Sequence, residues 1–244
     1  MNKVKIIGLI PARMGSSRFP GKPLVKILNY PMIYWVYQQA IKVNGLDEIY
    51  VTTQDMEIKS ACDFYNIPCR IGKYDDINTA ADLLSHDAEL LDGDIYINIQ
   101  GDEPLVNPKA IEQIINAMLN DESLYYVGLK SKINTKEEFM DPNVVKAIVD
   151  ENNDALTFSR SPIPYNFNNN YAFRVMGIYG YRSEFLKKFH KYSRSKLEIL
   201  ENGVEMLRMI QNGYKVHLVD TNYTSIGVDL PEHIKKVEQI LISK

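Results

Sequence analysis

The sequence predicts an α/β fold, a mixed, mostly parallel central sheet with helices on both faces. Three observations predict it. Apolar runs alternate with amphipathic stretches through the first half, as when strands buried on both faces are joined by crossover helices. The first run, residues 4–10, feeds a loop rich in glycine, proline and cations. The second half strings apolar runs together without helical periods between most of them, which predicts antiparallel neighbours in part of the sheet.

Residues 4–10, 48–52 and 95–99 read as strands, being short, apolar and rich in β-branched side chains. Residues 31–42, 56–65, 79–91 and 108–120 carry helical periodicity. Asn107 before Pro108 pairs an N-cap with a proline at the first helical position. Strands follow at 125–130, 144–149, 156–158 and 174–181, helices at 183–192 and 196–211, a strand at 215–219 and a helix at 230–243. Residues 1–244 read as a single domain, with residues 125–182 as a lobe within it.

Composition narrows the function. A hydrophobic share of 45%, a charged share of 24% and a net charge of −3 describe an ordinary soluble chain with no general attraction to nucleic acid or anionic membrane. No apolar run approaches the ~18 residues that span a bilayer. The N-terminus enters a strand with no signal-peptide pattern, so a cytoplasmic location is expected. Two cysteines, Cys62 and Cys69, build no disulfide framework and are expected to be reduced. The four histidines are scattered, which argues against a His/Cys metal centre.

The informative segment is Ile10-Pro-Ala-Arg-Met-Gly-Ser-Ser-Arg-Phe-Pro-Gly-Lys-Pro23. It lies at the carboxyl end of the first strand, where open parallel sheets bind phosphates. Ala12, Gly15 and Ser16 allow backbone approach, and Arg13, Lys22 and, more loosely, Arg18 supply positive charge. Five residues separate Gly15 from Gly21 and Pro23 follows Lys22, so this is no Walker loop; G-x-G-x-x-G is absent too. Asp102 follows the strand at 95–99, where a carboxylate projects into the crevice and offers a hard oxygen to Mg²⁺. Asp229, before Leu230-Pro231-Glu232, reads as a helix N-cap.

This loop, with Gln100-Gly-Asp-Glu-Pro104, Phe158-Ser-Arg-Ser-Pro-Ile-Pro164, Gly177-Ile-Tyr-Gly-Tyr-Arg182 and Gly227-Val-Asp229, resembles the CMP-Kdo synthetase (3-deoxy-manno-octulosonate cytidylyltransferase) family over nearly the whole chain. The resemblance implies a GT-A-like, Rossmann-like nucleotidyltransferase fold. It implies transfer of CMP from CTP to a 2-keto-3-deoxy sugar acid, release of pyrophosphate, and a role in surface polysaccharide synthesis. It assigns Gln100 and Thr79 to the nucleotide, Asp102 and Asp229 to Mg²⁺, Arg160 to the acceptor, and a homodimer with the second half as its interface. Tyr179 and Tyr181 share one face of a strand and line either the acceptor pocket or the core. Of Glu198, Glu201 and Glu205, at helical spacings, at least two are expected to be solvated and one to meet sugar hydroxyls.

Two departures mark the acceptor and base side. Where the family has Ser-Gly-Thr-acidic-Arg, this chain reads Ile77-Asn-Thr-Ala-Ala81. Where the family has a histidine beside the sugar acid, Val175 stands and can donate no hydrogen bond. The segment around Asn202-Gly203 carries one extra residue. The expectation is retained transfer chemistry with an altered acceptor. Rival readings are a CTP- or UTP-dependent enzyme for a sugar or polyol phosphate, held by Arg160 and Arg174, and a non-catalytic nucleotide-binding paralogue, which retention of Arg13, Lys22, Asp102 and Asp229 opposes. A glycosyl transferase would use an Asp-x-Asp pair; Asp92-Gly-Asp94 has the spacing but precedes its strand.

Overall fold

The computed structural model describes residues 3–16, 19–75, 77–224 and 226–243. Eleven strands and nine α-helices are assigned among them. The first half runs β1 (Ile6–Pro11), a 3-10 turn (Lys22–Leu24), a small hairpin of β2 (Lys26–Ile27) and β3 (Tyr30–Pro31), α1 (Met32–Ala40), β4 (Glu48–Thr53), α2 (Met56–Phe64), β5 (Cys69–Ile71), α3 (Ala80–Glu89), β6 (Ile95–Ile99) and α4 (Pro108–Asn120). The second runs β7 (Tyr126–Lys132), α5 (Lys136–Met140), β8 (Lys146–Val149), β9 (Ala155–Ser159), β10 (Phe173–Arg182), α6 (Ser183–Phe189), α7 (Lys196–Leu200), α8 (Met206–Gln211), β11 (His217–Asp220) and α9 (Glu232–Ile242).

The main sheet is ordered β11-β7-β10-β6-β1-β4-β5. The expected mixed, mostly parallel sheet is found. The pairs β6/β1, β1/β4, β4/β5 and β7/β11 are parallel, β10 runs against both β6 and β7, and β8 pairs antiparallel with β10 and β9. The period-2 alternation of each strand divides the core. Ile6 and Ile10 of β1 and Ile95, Ile97 and Ile99 of β6 face one layer with Val36, Ile58, Ile111 and Ile114. Ile7, Leu9 and Tyr96 face the other with Leu84, Phe185 and Leu207. A sheet buried on both faces explains why its strands read as unbroken apolar runs.

β8 and β9 branch from β10, and Ile133, Phe139 and Ala172 form a small separate core beside them. Within the range 125–182, β7 and β10 belong to the main sheet, so the part that stands apart is α5, β8, β9 and their loops. One expected element is corrected. Residues 196–211 are not one helix but two, α7 and α8, because Asn202 (φ 52°) and Gly203 (φ 83°) both take left-handed backbone, which no helix continues.

Candidate active site

β1 lies between β4 and β6, and the chain crosses it after β5, so the loops that follow β1 and β6 diverge around a crevice. The two strand ends nearly touch. A Cβ on Gly101 would lie 2.4 Å from the Pro11 carbonyl oxygen. A third segment joins them, since Val228 N–H donates to the Asp102 carbonyl at 2.9 Å.

This arrangement assembles Lys22, Asp102 and Asp229. Gly21, at φ 72°, turns the chain into the 3-10 turn that begins at Lys22. Lys22 Nζ then donates to Asp102 Oδ2 at 2.6 Å and sits 3.7 Å from Asp229 Oδ1. Lys22 is largely enclosed, while both carboxylates keep about a third of their surface. Asp229 is not the expected N-cap: Pro231 occupies the N-cap of α9, and the Asp229 N–H donates to His233 Nδ1 at 3.2 Å. Two carboxylates thus face one ammonium at the joined strand ends.

The loop between β1 and Lys22 folds on the Met14 carbonyl, which accepts from Ser16 and Gly21 N–H, both at 3.0 Å. Asp55 accepts from Met14 N–H at 2.7 Å. Arg13 and Gly15 are exposed, and a Cβ on Gly15 would meet no atom within 4 Å. Arg18 lies outside the described residues. Ala12 has its methyl in the core and its N–H on the Thr52 carbonyl at 2.9 Å, so neither faces a ligand. Gln100 directly follows β6, and Gly177 makes room for it: a Cβ there would stand 2.9 Å from Gln100 Cγ and 3.1 Å from Glu103 Oε1.

Thr79 is placed differently from expectation. Its hydroxyl caps α3 in a reciprocal capping box with Asp82, so the chain itself already engages it. Tyr181 is also corrected as an acceptor residue. It is fully buried among Tyr126, Phe185 and Asn98 and has no surface to offer. Tyr179 is almost as enclosed, edge-on to Tyr126.

Directly after β9, the Arg160 guanidinium donates to the carbonyls of Glu201 at 3.1 Å and Pro142 at 3.1 Å. The Glu201 carboxylate takes Ser159 Oγ and Arg160 N–H at 2.7 and 2.6 Å. Beneath them Lys146, wholly buried, donates to the carbonyls of Asp141, Val144 and Arg160 at 2.6–2.8 Å, and burial lowers its pKa. Arg174 is paired to Glu138 at 2.8 Å, which removes it from the cation pair that a phosphorylated acceptor would need. Asp92 and Asp94 meet Lys5 at the amino end of β6, away from the crevice.

Glu198 and Glu205 are buried rather than solvated, and Glu201 is half-buried. Glu198 is buried and takes Arg208 Nε and Nη2, both at 2.8 Å, while Arg208 Nη1 reaches Asp82 at 2.5 Å. Glu205 is buried against Ala81 N–H, and desolvation pushes its pKa up to about 7. Helical spacing concealed these roles, since the helix breaks between the glutamates. Arg208, three residues past Glu205, gave no sequence signal because its partners lie on other elements.

Residues 7–220 match the family model described as cytidylyltransferase. The chain is 36% identical to a 3-deoxy-manno-octulosonate cytidylyltransferase of Geobacter metallireducens over 98% of each chain. It is 41% identical to an 8-amino-3,8-dideoxy-manno-octulosonate cytidylyltransferase of a Shewanella species over 98% of this chain and 99% of that one. Its fold overlays that of a CMP:2-keto-3-deoxy-manno-octonic acid synthetase solved with CTP, with a TM-score of 0.90, 35% identity and 98% and 99% coverage. Family model, full-length relatives and fold agree: the chain is a nucleotidyl-transferring enzyme that belongs to the cytidylyltransferase family, as the resemblance to CMP-Kdo synthetases implied.

Proposed function

We propose that this enzyme transfers CMP from CTP to a hydroxyl of a 3-deoxy-octulosonate acid and releases pyrophosphate. The observation that carries the reading is Lys22 held between Asp102 and Asp229 at the joined ends of β1 and β6. Displacement at the α-phosphorus needs positive charge and alignment rather than a covalent nucleophile. Asp102 and Asp229 fit Mg²⁺, which when bound supplies positive charge at the phosphates and lowers the pKa of a coordinated hydroxyl. Lys22 and Arg13 would supply positive charge to the phosphate chain. Gly15 and Ser16 offer backbone N–H groups, and Gln100 borders the nucleotide. Arg160, held by Glu201 and Pro142, presents the rest of its fork to the acceptor carboxylate.

A second reading is favoured by one relative, whose name specifies an 8-amino-3,8-dideoxy-manno-octulosonate acceptor. Val175 and Ala81, which carry no side-chain hydrogen-bonding group, agree with an acceptor other than plain Kdo. We place the enzyme in the cytoplasm, where nucleoside triphosphates are held; no helix among the described residues is long and apolar enough to cross a membrane. We also propose a homodimer, supported by the exposed apolar side chains of Leu156, Ile199 and Leu200 in the second half.

Pyrophosphate release with Mg²⁺ and each of CTP, UTP, ATP and GTP, against Kdo, 8-amino-Kdo and sugar phosphates, tests the reading. CTP with one octulosonate is the expected productive pair, and the ratio of kcat/KM for the two acids decides between the acceptors. Turnover with only a phosphorylated acceptor overturns the proposal. Asp102→Asn and Asp229→Asn should each lose about 10²-fold or more in kcat, the scale of losing one charge-stabilising group.

A further inference from the structure

Two of the four histidines scattered in the sequence meet in the fold. α3 and α6 pack against each other, and they bring His86 and Glu89 of α3 beside His190, the C-cap of α6. Ligand atoms of the three side chains lie within 4.8 Å of one another. The imidazole rings of His86 and His190 stack at 4.1 Å, with Tyr74 stacked on the outer face of His86 at 4.3 Å. Both histidines are half-buried and Glu89 is exposed.

The tautomer of His190 is fixed by Ser85. The Ser85 hydroxyl has one proton, and it goes to the Leu186 carbonyl at 2.5 Å. Its oxygen therefore accepts, from the His190 backbone N–H at 3.1 Å and from His190 Nδ1 at 2.8 Å. Nδ1 must carry the ring hydrogen, so in the neutral imidazole the lone pair sits on Nε2. That nitrogen is 3.9 Å from Glu89 Oε1. A hydrogen bond that holds one ring nitrogen and aims the other is how metal-ligating histidines are oriented.

We propose that His86, Glu89 and His190 bind a divalent transition-metal ion of the Zn²⁺ or Co²⁺ class, at a site separate from the Asp102–Asp229 crevice. Two imidazoles and one carboxylate suit such borderline ions and do not suit Mg²⁺, which prefers oxygen. A tetrahedral ion with bonds of about 2.0–2.1 Å places its ligands roughly 3.3 Å apart. The ligand atoms must therefore draw in by up to about 1.5 Å, and, because an imidazole lone pair lies in the plane of its ring, the stacked rings must turn out of their stack toward the ion. Lys191 Nζ, 3.0 Å from Glu89 Oε1, competes for the carboxylate, but it is on an exposed side chain that can swing away. The ion would clamp α3 to α6.

The test uses the full-length protein without a polyhistidine tag, stripped with chelator and titrated with Co²⁺ and Zn²⁺ at neutral pH. The expected result is one equivalent bound, a tetrahedral Co²⁺ visible spectrum that Zn²⁺ displaces, and a higher Tm with Zn²⁺. His190→Ala and His86→Ala should abolish the spectrum, and Glu89→Gln, on an exposed side chain, should weaken binding at least tenfold. Asp102→Asn/Asp229→Asn should leave it intact, which keeps this result independent of the catalytic proposal. No Co²⁺ spectrum in the wild-type protein, or a spectrum unchanged in folded Glu89→Gln and His190→Ala, overturns the proposal.

Discussion

Burial holds the Glu205 carboxyl at a pKa of about 7, far above its ordinary 4.5, because desolvation outweighs the hydrogen bonds from Ala81 and Thr79 and the pull of Arg208. The raised folded-state value fixes the sign of its effect: the fold favours the protonated form. That stabilisation is full below pH ~4.5 and is lost as pH rises through about 7, a swing of up to about 3 kcal/mol. Glu205→Gln keeps an oxygen for the Ala81 N–H and cannot ionise. It should therefore gain stability relative to wild type between about pH 5 and about pH 8, read from urea unfolding at each pH. A stability difference that stays constant over this range would show that Glu205 does not titrate there. A second single-residue prediction concerns Lys22. Removing its ammonium in Lys22→Met leaves Asp102 and Asp229 facing each other across the space it held. The variant should lose activity yet show a larger Mg²⁺-induced rise in Tm than wild type. An equal rise in both proteins would argue that Lys22 and the ion do not share the carboxylates.

At the scale of elements, legibility followed length. Strands such as residues 95–99 and helices such as 108–120 were found at their bounds, because five or more apolar residues or three helical turns leave a periodic trace. β2, β3, β5 and α5, with two to five residues each, are too short to leave one. The α7–α8 break was missed for a different reason. The glutamates on either side keep helical spacing, while two left-handed residues cut the helix between them. The broken pair stays together through Arg208, which is fully buried and forks onto Glu198 of α7 while reaching Asp82 of α3 and lying over the Phe189 ring at 4.5 Å. Arg208→Met would leave buried Asp82 without its cation and Glu198 with Arg194 alone, and breaking such a buried pair from one side costs about 3–5 kcal/mol. Chemical denaturation of this variant should show that loss. A loss under ~1 kcal/mol would mean that Arg194, 3.0 Å from Glu198, takes over the pairing.

At the scale of the whole molecule, the candidate site depends on where the sheet changes direction. Each of Lys22, Asp102 and Asp229 sits in a short motif, and the family resemblance puts Asp102 and Asp229 on one ion, but the physical cause of their meeting lies in two strand ends in contact and in the 227–229 segment bonded across them. His86 and His190 were illegible in the sequence for the same reason, since only the packing of α3 on α6 unites them. The contact between strand ends can be tested directly. A methyl group on Gly101 would lie 2.4 Å from the Pro11 carbonyl oxygen, a main-chain atom that cannot rotate aside. Gly101→Ala should therefore part β1 from β6 and cost about 1–3 kcal/mol, as overpacking does. Because Lys22 and Asp102 depart from those two strand ends, kcat should fall further than stability does; a displacement near 1 Å can cost about 10²-fold. Gly15→Ala is the matched control. Gly15 has open space around its Cβ position and no positive φ, so its Tm should match wild type, and any rise in KM for CTP would then report on how closely the phosphates approach that backbone. A Gly101→Ala enzyme with wild-type Tm and kcat would show that the crevice is not set by this contact.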